Sequence, residues 1–303
     1  MRQPLSPRGE AYAALVVLAL VWGYTWVVIK VATFDASPLI VATGRNAVGV
    51  IVLFAVLMVL RRTLRPTPFL PTVILGLLQT TGWTLLQTFA VSLASAGKAA
   101  VLGYTMPFWV ALLAWPLLGE RITGARWAAF ALAACGLGFV VTPLGTATLE
   151  ADALAVGAGL VWAASAVWMK RLRAEHDVDL LSLTTWQMLW GTIPLLVLTA
   201  IVPEHVRWTT SFVASMAFLG ILGAGLAWFL WMFILSRLPA GVAGIASLAT
   251  PVVGVVLSAI QLHEIPSTTE LTGMALILGA LVVNALPARG VQVATREVST
   301  ASK

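Results

Sequence analysis

The sequence predicts an all-α membrane protein with ten transmembrane helices, arranged as two inverted repeats of five helices each. Three observations lead to this fold class: the composition, ten apolar stretches of membrane-spanning length, and an internal duplication. Hydrophobic residues make up 60% of the 303 residues and charged residues only 10%, whereas roughly a quarter of the residues in a water-soluble protein are charged. The mean hydropathy of +0.96 agrees with a membrane protein.

The apolar stretches are long enough to cross a bilayer as helices. About 20 residues, each rising about 1.5 Å, span a hydrocarbon core of about 30 Å. An open sheet edge is excluded there because its backbone groups would be left unpaired in lipid. Span 1 follows two arginines, as a signal peptide does, but nine further spans favour a retained helix. The predicted spans, numbered 1 to 10, are 11–32, 39–60, 70–92, 95–118, 126–144, 152–169, 181–202, 211–235, 239–262 and 268–286.

Basic residues are distributed unevenly over the loops. With the N-terminus placed inside, fourteen of the 18 Lys and Arg residues lie on the inner side, and only Lys30, Lys98 and Arg207 lie outside. This distribution is the positive-inside bias of multi-pass membrane proteins. We therefore expect a bacterial-type inner (plasma) membrane protein with both termini cytoplasmic. The net charge of +6 then serves orientation and contact with the lipid bilayer, and no nucleic-acid partner is expected.

The chain repeats itself at an offset of 140 to 144 residues. VWGYTWVVIK at 21–30 corresponds to VWAASAVWMK at 161–170, and residues 94–120 align with residues 238–264. Each copy holds five spans, so the second copy must enter the membrane from the opposite side. The repeat therefore predicts two halves related by a pseudo-two-fold axis in the membrane plane, as in many secondary transporters.

This duplication defines the predicted domain organisation. We expect a monomer or a homodimer whose chain divides into a cytoplasmic N-terminal tail at 1–10, a first repeat at 11–144, a linker at 145–151, a second repeat at 152–286 and a flexible cytoplasmic C-terminal tail at 287–303.

Taken in order, these features resemble the EamA-type branch of the drug/metabolite transporter (DMT) superfamily. The resemblance covers nearly the whole chain, about residues 11–286, and departs from the family pattern at Ala163 and His263, where the family has glycine. It implies a ten-helix carrier whose cavity is lined by helices 1, 3, 4, 6, 8 and 9, with export of amino acids or related metabolites as a common role. The residues that carry it are Trp22, Gly23, Arg45, Ala96, Pro107, Gly119, Glu120, Ala240, Pro251 and Glu264.

Titratable groups are nearly absent from the interior of the spans. All twelve acidic residues and all three histidines fall at span ends, in loops or in tails. We therefore expect no cofactor, no metal site, no acid–base enzyme chemistry and no proton carrier within the membrane. Transport should be facilitated, or coupled through the charge of the substrate itself. The single cysteine, Cys135, excludes an intrachain disulfide.

Aromatic residues and lysines form a stripe in each half. Span 1 carries Trp22, Trp26 and Lys30 at i, i+4 and i+8, on one face of the helix. Span 6 repeats this stripe with Trp162 and Lys170. The stripes predict the lining of a cavity with a lysine at each mouth. Anchoring of tryptophans and lysines at the membrane interface is the alternative.

Span 3 carries the most polar stripe, with two glutamines and a tryptophan at the same spacing. Glutamines in a membrane helix either contact a substrate or bond to neighbouring helices. The aligned positions of span 8 are Gly223, Ala227 and Trp231, so the two halves cannot contribute equally to a site. The complete set of candidate cavity residues is Trp22, Trp26, Lys30, Arg45, Gln79, Trp83, Gln87, Tyr104, Trp162, Trp186, Gln187 and Trp231.

Two prolines occupy equivalent positions in spans 4 and 9. Pro107 and Pro251 lie in mid-span, where proline removes a backbone hydrogen bond and kinks the helix. We predict that they act as hinges for gating, with a fixed packing bend as the alternative.

The charges assigned to the cavity and its mouths are all positive. They belong to Arg45, about two turns inside span 2, and to Lys30, Lys98 and Lys170. No acid balances them in this prediction, so we expect an anionic or zwitterionic substrate with a carboxylate or a phosphate. The alternative for Arg45 is a structural contact with backbone carbonyls or with the outer membrane interface.

These patterns indicate a secondary transporter that moves a small metabolite by alternating access, with export as the expected direction. An uptake carrier of the same fold is one alternative. A membrane-embedded lipid-modifying enzyme is another, but it would need clustered acids or a nucleophile–base pair, which the positions of the acids do not provide.

The charge bias makes the topology testable. In a background without Cys135, we expect a membrane-impermeant thiol reagent added from outside to label His205→Cys before Arg173→Cys, because residues 203–207 are predicted to be periplasmic and residues 170–179 cytoplasmic. Labelling in the reverse order would invert the predicted topology.

Overall fold

The structure is a computed structural model, and it describes residues 7–64, 68–119, 124–141, 146–202, 204–238 and 248–285. Within these ranges the chain is helical, joined by short turns, and contains no strand. Residues 1–6, the predicted C-terminal tail, Glu120 and Ala240 lie outside the described residues. Residues 146–151 of the predicted linker are described and are helical. The helices, labelled in chain order, are α1 Pro7–Ala32, α2 Pro38–Val59, α3 Phe69–Leu93, α4 Ala96–Leu118, α5 Ala125–Val140, α6 Thr146–Glu175, α7 Leu180–Ile201, α8 210–237, α9 Ala249–Gln261 and α10 Thr268–Ala285.

Most of these helices match the thickness of a bilayer. By length and composition, seven of the described helices can cross a membrane, namely α1 to α4 and α6 to α8. The described parts of α5, α9 and α10 are shorter apolar helices. Three of the helices begin at a residue whose side chain accepts a hydrogen bond from a free backbone N–H group. These capping residues are Ser37 for α2, Asp179 for α7 and Thr209 for α8.

Two of the helices change to π-helical geometry in their middle. In α3 the π-helical segment is Leu77–Gly82, and in α8 it is Phe218–Leu226. Such segments expose extra backbone and side-chain groups and are frequent at functional sites. Neither segment contains a proline that would reveal it in the sequence.

Glycines allow neighbouring helices to pack closely beside both π segments. A Cβ atom added to Gly76 of α3 would lie 2.4 Å from the carbonyl oxygen of Gln187 in α7. A Cβ atom added to Gly220 of α8 would lie 2.4 Å from Cβ of Val48 in α2. The α3–α7 and α2–α8 contacts therefore require a residue without a side chain.

Helix α4 is broken rather than kinked. Its two parts, Ala96–Gly103 and Met106–Leu118, are separated by Tyr104 and Thr105. Pro107 is the second residue of the second part, where its missing N–H leaves no hydrogen bond unmade. Pro251 is likewise the third residue of the described part of α9. The prediction that Pro107 kinks a continuous helix is therefore wrong, and its proposed role in gating stays a prediction.

The ends of the bundle are held by polar contacts. At one end, Arg207 lies 3.0 Å from Asp35, and the hydroxyl of Thr209 donates to the same carboxylate at 2.7 Å. We call this the Asp35 end. At the other end, Arg62 after α2 lies 3.7 Å from Asp179 before α7, and we call this the Arg62 end.

The glycine contacts lead to a stability prediction. We expect Gly76→Ala to lower stability by about 1–3 kcal/mol, because the new methyl group would overlap the backbone of α7. The midpoint of thermal unfolding in detergent measures the effect. Gly138→Ala in α5 is the matched control, since a Cβ atom there meets nothing within 4 Å. Both changes gain the same helix propensity, so equal midpoints for the two variants would contradict the prediction.

Candidate functional site

A central cavity with about 980 Å³ of empty space, part of which is open to solvent, lies among α1, α2, α3, α4, α6, α7 and α8. In the described range 249–261, α9 contributes no side chain, whereas α2 and α7 contribute four, unlike the lining that the family resemblance implies. The lining residues are Trp22, Thr25, Trp26, Arg45, Asn46, Gln79, Thr80, Trp83, Thr84, Gln87, Tyr104, Met106, Trp162, Gln187, Met188, Gly223, Ala224, Trp228 and Trp231.

One wall of the cavity is polar and is built by α2, α3 and α7. The guanidinium of Arg45 donates from Nη1 to Oε1 of Gln87 at 3.1 Å. On the same wall, the hydroxyl of Thr80 donates to Oε1 of Gln187 at 3.0 Å. These two bonds connect α3 to α2 and to α7. The bond from Arg45 fixes the guanidinium beside the cavity rather than beside lipid.

Arg45 is the only charged side chain that lines this cavity among the described residues. Its side chain is partly exposed to the cavity, and its Nε is buried without a hydrogen-bond partner in the described part of the chain. A guanidinium has five N–H donors and no acceptor. The geometry therefore leaves hydrogen-bonding capacity on a fixed positive charge, which can bind a carboxylate or a phosphate of a ligand.

Aromatic rings from α1, α3 and α8 also line the cavity. The ring of Trp22 in α1 lies 6.0 Å from that of Trp228 and 5.8 Å from that of Trp231, both in α8. Further along α1, Trp26 lies 6.2 Å from Trp83 in an edge-to-face contact. Edge-to-face packing of this kind holds large rings in defined positions. The aromatic walls can therefore receive the apolar part of a ligand whose charged group lies at Arg45.

Ten of the twelve predicted cavity residues lie on this lining, and Lys30 and Trp186 do not. Nζ of Lys30 donates to the carbonyl oxygens of Ser92 at 3.2 Å and Ala94 at 2.8 Å, at the C-terminal end of α3. The ring of Trp186 stacks on Trp190 at 6.2 Å. That the ten residues contact a substrate stays a prediction.

Sequence reasoning missed part of the lining. Thr80 and Thr84 each follow a predicted residue directly, and the π-helical segment of α3 brings both neighbours to the cavity. Trp228 lies one helical turn before Trp231. The spacing of one helical turn from Trp231 could have predicted Trp228. The π-helical segment that brings Thr80 and Thr84 to the cavity could not be predicted from the sequence.

The predicted charge balance requires a correction. Lys98 was predicted to have no acidic partner, but its Nζ lies 2.9 Å from Oδ2 of Asp152. The reason is that α6 begins at Thr146, before the predicted span, so Asp152 lies within the helix and is buried. The negative charge of Glu264 interacts electrostatically with Lys30. Lys170 is exposed in α6. Of the four predicted cations, only Arg45 lies on the cavity wall.

The sequence profile of the EamA-like transporter family matches the chain twice, over residues 9–142 and 149–286. The chain belongs to the EamA-like transporter family. It is thus a multi-pass membrane transporter of the DMT superfamily.

Several relatives of this EamA-like chain carry transporter names. It is 29% identical to the "Uncharacterized transporter YoaV" of Bacillus subtilis, over 89% of this chain and 92% of the relative. It is 27% identical to the "Probable amino-acid metabolite efflux pump" of Escherichia coli, over 92% and 95%. It is 30% identical to the "Probable terminal-alkyne amino-acid exporter" of Streptantibioticus cattleyicolor, over 62% and 64%. A crystal structure with 19% identity matches the fold with a TM-score of 0.66, covering 90% of this chain and 96% of the other.

The position of Lys30 separates a structural role from a role in binding. We expect Lys30→Met to lower stability by about 1–3 kcal/mol, because two carbonyl groups lose a charged donor, and to leave ligand affinity at the cavity unchanged. Thermal unfolding and tryptophan-fluorescence titration measure the two effects. Arg171→Met is the control, since Arg171 forms an exposed i, i+4 pair with Glu175 and should change stability by less than about 0.5 kcal/mol. Equal stability of the two variants would show that the Lys30 bonds contribute nothing.

Proposed function

We propose that this EamA-like protein is a secondary transporter that exports a small anionic or zwitterionic metabolite, an amino acid or a related compound, across a bacterial-type inner membrane. It works by alternating access, and both termini are cytoplasmic. The observation that carries the proposal is the positive charge of Arg45, the only charge that the described residues place on the lining of the cavity.

Alternating access requires two structural halves that exchange roles, and several features support ten helices in two inverted repeats. The family profile matches each half of the chain once. The π-helical segments of α3 and α8 occupy equivalent positions. Gly76 of α3 meets Gly191 of α7, and the aligned Gly220 of α8 lies near the aligned Gly49 of α2. Helix α1 packs on α9 as α6 packs on α4.

The substrate class follows from the chemistry of the walls. A cavity with one fixed cation attracts a ligand that brings a negative group. Gln79 and Gln187 supply neutral hydrogen-bonding groups beside it, and the tryptophans of α1 and α8 supply apolar surface. An amino acid with an apolar side chain meets these three requirements. The names of the Escherichia coli and Streptantibioticus relatives support an amino-acid-related substrate and the export direction.

The charge of Arg45 provides the test of this function. In proteoliposomes, we expect wild type to transport an amino acid or related acid in preference to the analogue in which an uncharged carboxamide replaces the carboxylate. In Arg45→Gln the preference for the acid should fall by at least about tenfold, because a charge-assisted hydrogen bond contributes about 1.5–3 kcal/mol. A panel of labelled amino acids and other metabolites identifies the pair of compounds to use.

Two control variants make the result specific. Arg45→Lys keeps the charge but loses the planar donor array, so it should keep part of the preference for the acid. Arg62→Gln removes a positive charge from the Arg62 end, where the side chain is 60% exposed, and should keep the preference of wild type. If Arg45→Gln folds normally and transports acid and amide in the wild-type ratio, the proposed substrate class is wrong.

A further inference from the structure

Three charged side chains meet at the Asp35 end of the bundle, away from the cavity lining. Nζ of Lys98, in the first turn of α4, lies 2.9 Å from Oδ2 of Asp152 in α6 and 3.7 Å from Oε1 of Glu270 in α10. The side chains of Lys98 and Asp152 are only 8% and 2% exposed. We call these three residues the Lys98 cluster. The cluster joins three helices that are far apart in the sequence.

Helix capping explains only one member of the Lys98 cluster. Oε2 of Glu270 accepts hydrogen bonds from the backbone N–H and the hydroxyl of Ser267, both at 2.9 Å, in a capping box at the start of α10. Asp152 lies beyond the first turn of α6, and its buried Oδ1 accepts no hydrogen bond within the described ranges. Lys98 is therefore the cation that neutralises Asp152.

A buried ion pair adds little to the stability of a fold. The loss of hydration of both ions offsets most of their attraction. Apolar residues of similar volume therefore often stabilise a protein at least as much as the ion pair does. Separating the two charges is much more costly, because each then lies in a poorly hydrated site alone. The Lys98–Asp152 pair therefore opposes any movement of α4 away from α6.

The first part of α4 is the segment that this pair holds in place. All eight residues of Ala96–Gly103 are buried, and the helix is interrupted directly afterwards at Tyr104 and Thr105. Its first N–H, that of Ala96, donates to Glu264 at 2.8 Å. At its other end, Tyr104 lies on the cavity lining. The segment therefore lies between the Asp35 end and the cavity lining.

We propose that the Lys98–Asp152 pair keeps the cavity closed at the Asp35 end, and that opening of this end places a proton on Asp152. The inference rests on the transport function proposed above and describes the regulation of the same cavity. When the first part of α4 moves away, Lys98 leaves with it and Asp152 remains on α6. A carboxylate that has lost its neighbouring cation binds a proton more readily. The proton comes from water at the Asp35 end and returns there when Lys98 rejoins Asp152.

Few charged groups face Asp152. Lys98 of α4 pairs with it directly, and Glu270 of α10, which pairs with Lys98, acts on it through its charge. The negative charge of Glu270 further favours protonation of Asp152 once Lys98 has left. Helix α3 and the second part of α4, which both pack against α6, carry no titratable side chain. Two further charged residues lie near the start of α4. Lys30 of α1 donates to the carbonyl oxygen of Ala94, and Glu264 accepts a hydrogen bond from the N–H of Ala96.

Thiol labelling in detergent measures the opening without a substrate. Val101 is fully buried in the first part of α4, so Val101→Cys in a Cys135→Ser background should react only when this segment moves. Ala174→Cys, at an exposed position, gives the pH dependence of the reagent itself. After division by the Ala174→Cys rate, we expect the Val101→Cys rate to rise about tenfold from about pH 8 to about pH 5.5, as a proton stabilises the separated state.

The acid variants decide the result. Asp152→Asn removes the charge that holds Lys98, so the normalised labelling rate should be high and should change by less than about twofold over the same pH range. Asp179→Asn is the matched control, because Asp179 pairs with Arg62 at the opposite end, and it should keep the pH profile of wild type. A wild-type pH profile in Asp152→Asn would overturn the proposal.

A second variant guards against loss of folding. The double variant Lys98→Met/Asp152→Leu replaces the ion pair by an apolar contact. If Asp152→Asn is not monodisperse, the pH dependence of labelling is measured in this double variant instead. Loss of the pH dependence supports the proposal, and its retention overturns it. The labelling assay contains no substrate, so its result is independent of the comparison of acid and amide. A normal preference for the acid combined with wild-type labelling in Asp152→Asn would overturn this inference alone.

Discussion

The scarcity of water in the hydrocarbon layer is the constraint on which this structure depends. Polar groups that cannot reach water must find partners inside the protein, and they do so in three ways. Threonine hydroxyls donate to the carbonyl one turn earlier, as Thr88 does to Thr84 at 2.7 Å. Amides and the guanidinium bond between helices, as Arg45 does to Gln87. Lysines bind carbonyls or acids at the helix ends. Each of these solutions fixes how two segments lie relative to each other.

The same constraint explains why the cavity lies where the helices are irregular. A regular helix satisfies its own backbone and presents only part of its surface to the centre. The π-helical segment of α3 widens one turn and brings Gln79 and Thr80, adjacent in sequence, to the same cavity. The glycines beside it allow α7 to approach closely enough for Gln187 to bond with Thr80. Local irregularity and close packing therefore create the polar wall together.

Much of the fold and of the cavity lining was predictable from the sequence, because hydropathy and helical spacing are local signals. The stripe of Gln79, Trp83 and Gln87 identified one wall of the cavity from spacing alone. Pairings between distant segments were not predictable. Lys98 and Asp152 are 54 positions apart, and only the early start of α6 buries the acid. The same holds for Lys30, whose bonds to the end of α3 depend on how two helices cross.

The unequal lining of the two halves has a consequence for the orientation of a ligand. The positions of Gln79 and Gln87 in α3 correspond in the sequence repeat to Gly223 and Trp231 in α8, so equivalent positions carry an amide in one half and a hydrogen atom or an indole in the other. A symmetric lining would accept a molecule in two equivalent orientations. Here the cation and the amides lie on one wall, and the indoles of α1 and α8 lie on another. We expect a ligand with one charged end and one apolar end to bind in a single end-to-end orientation.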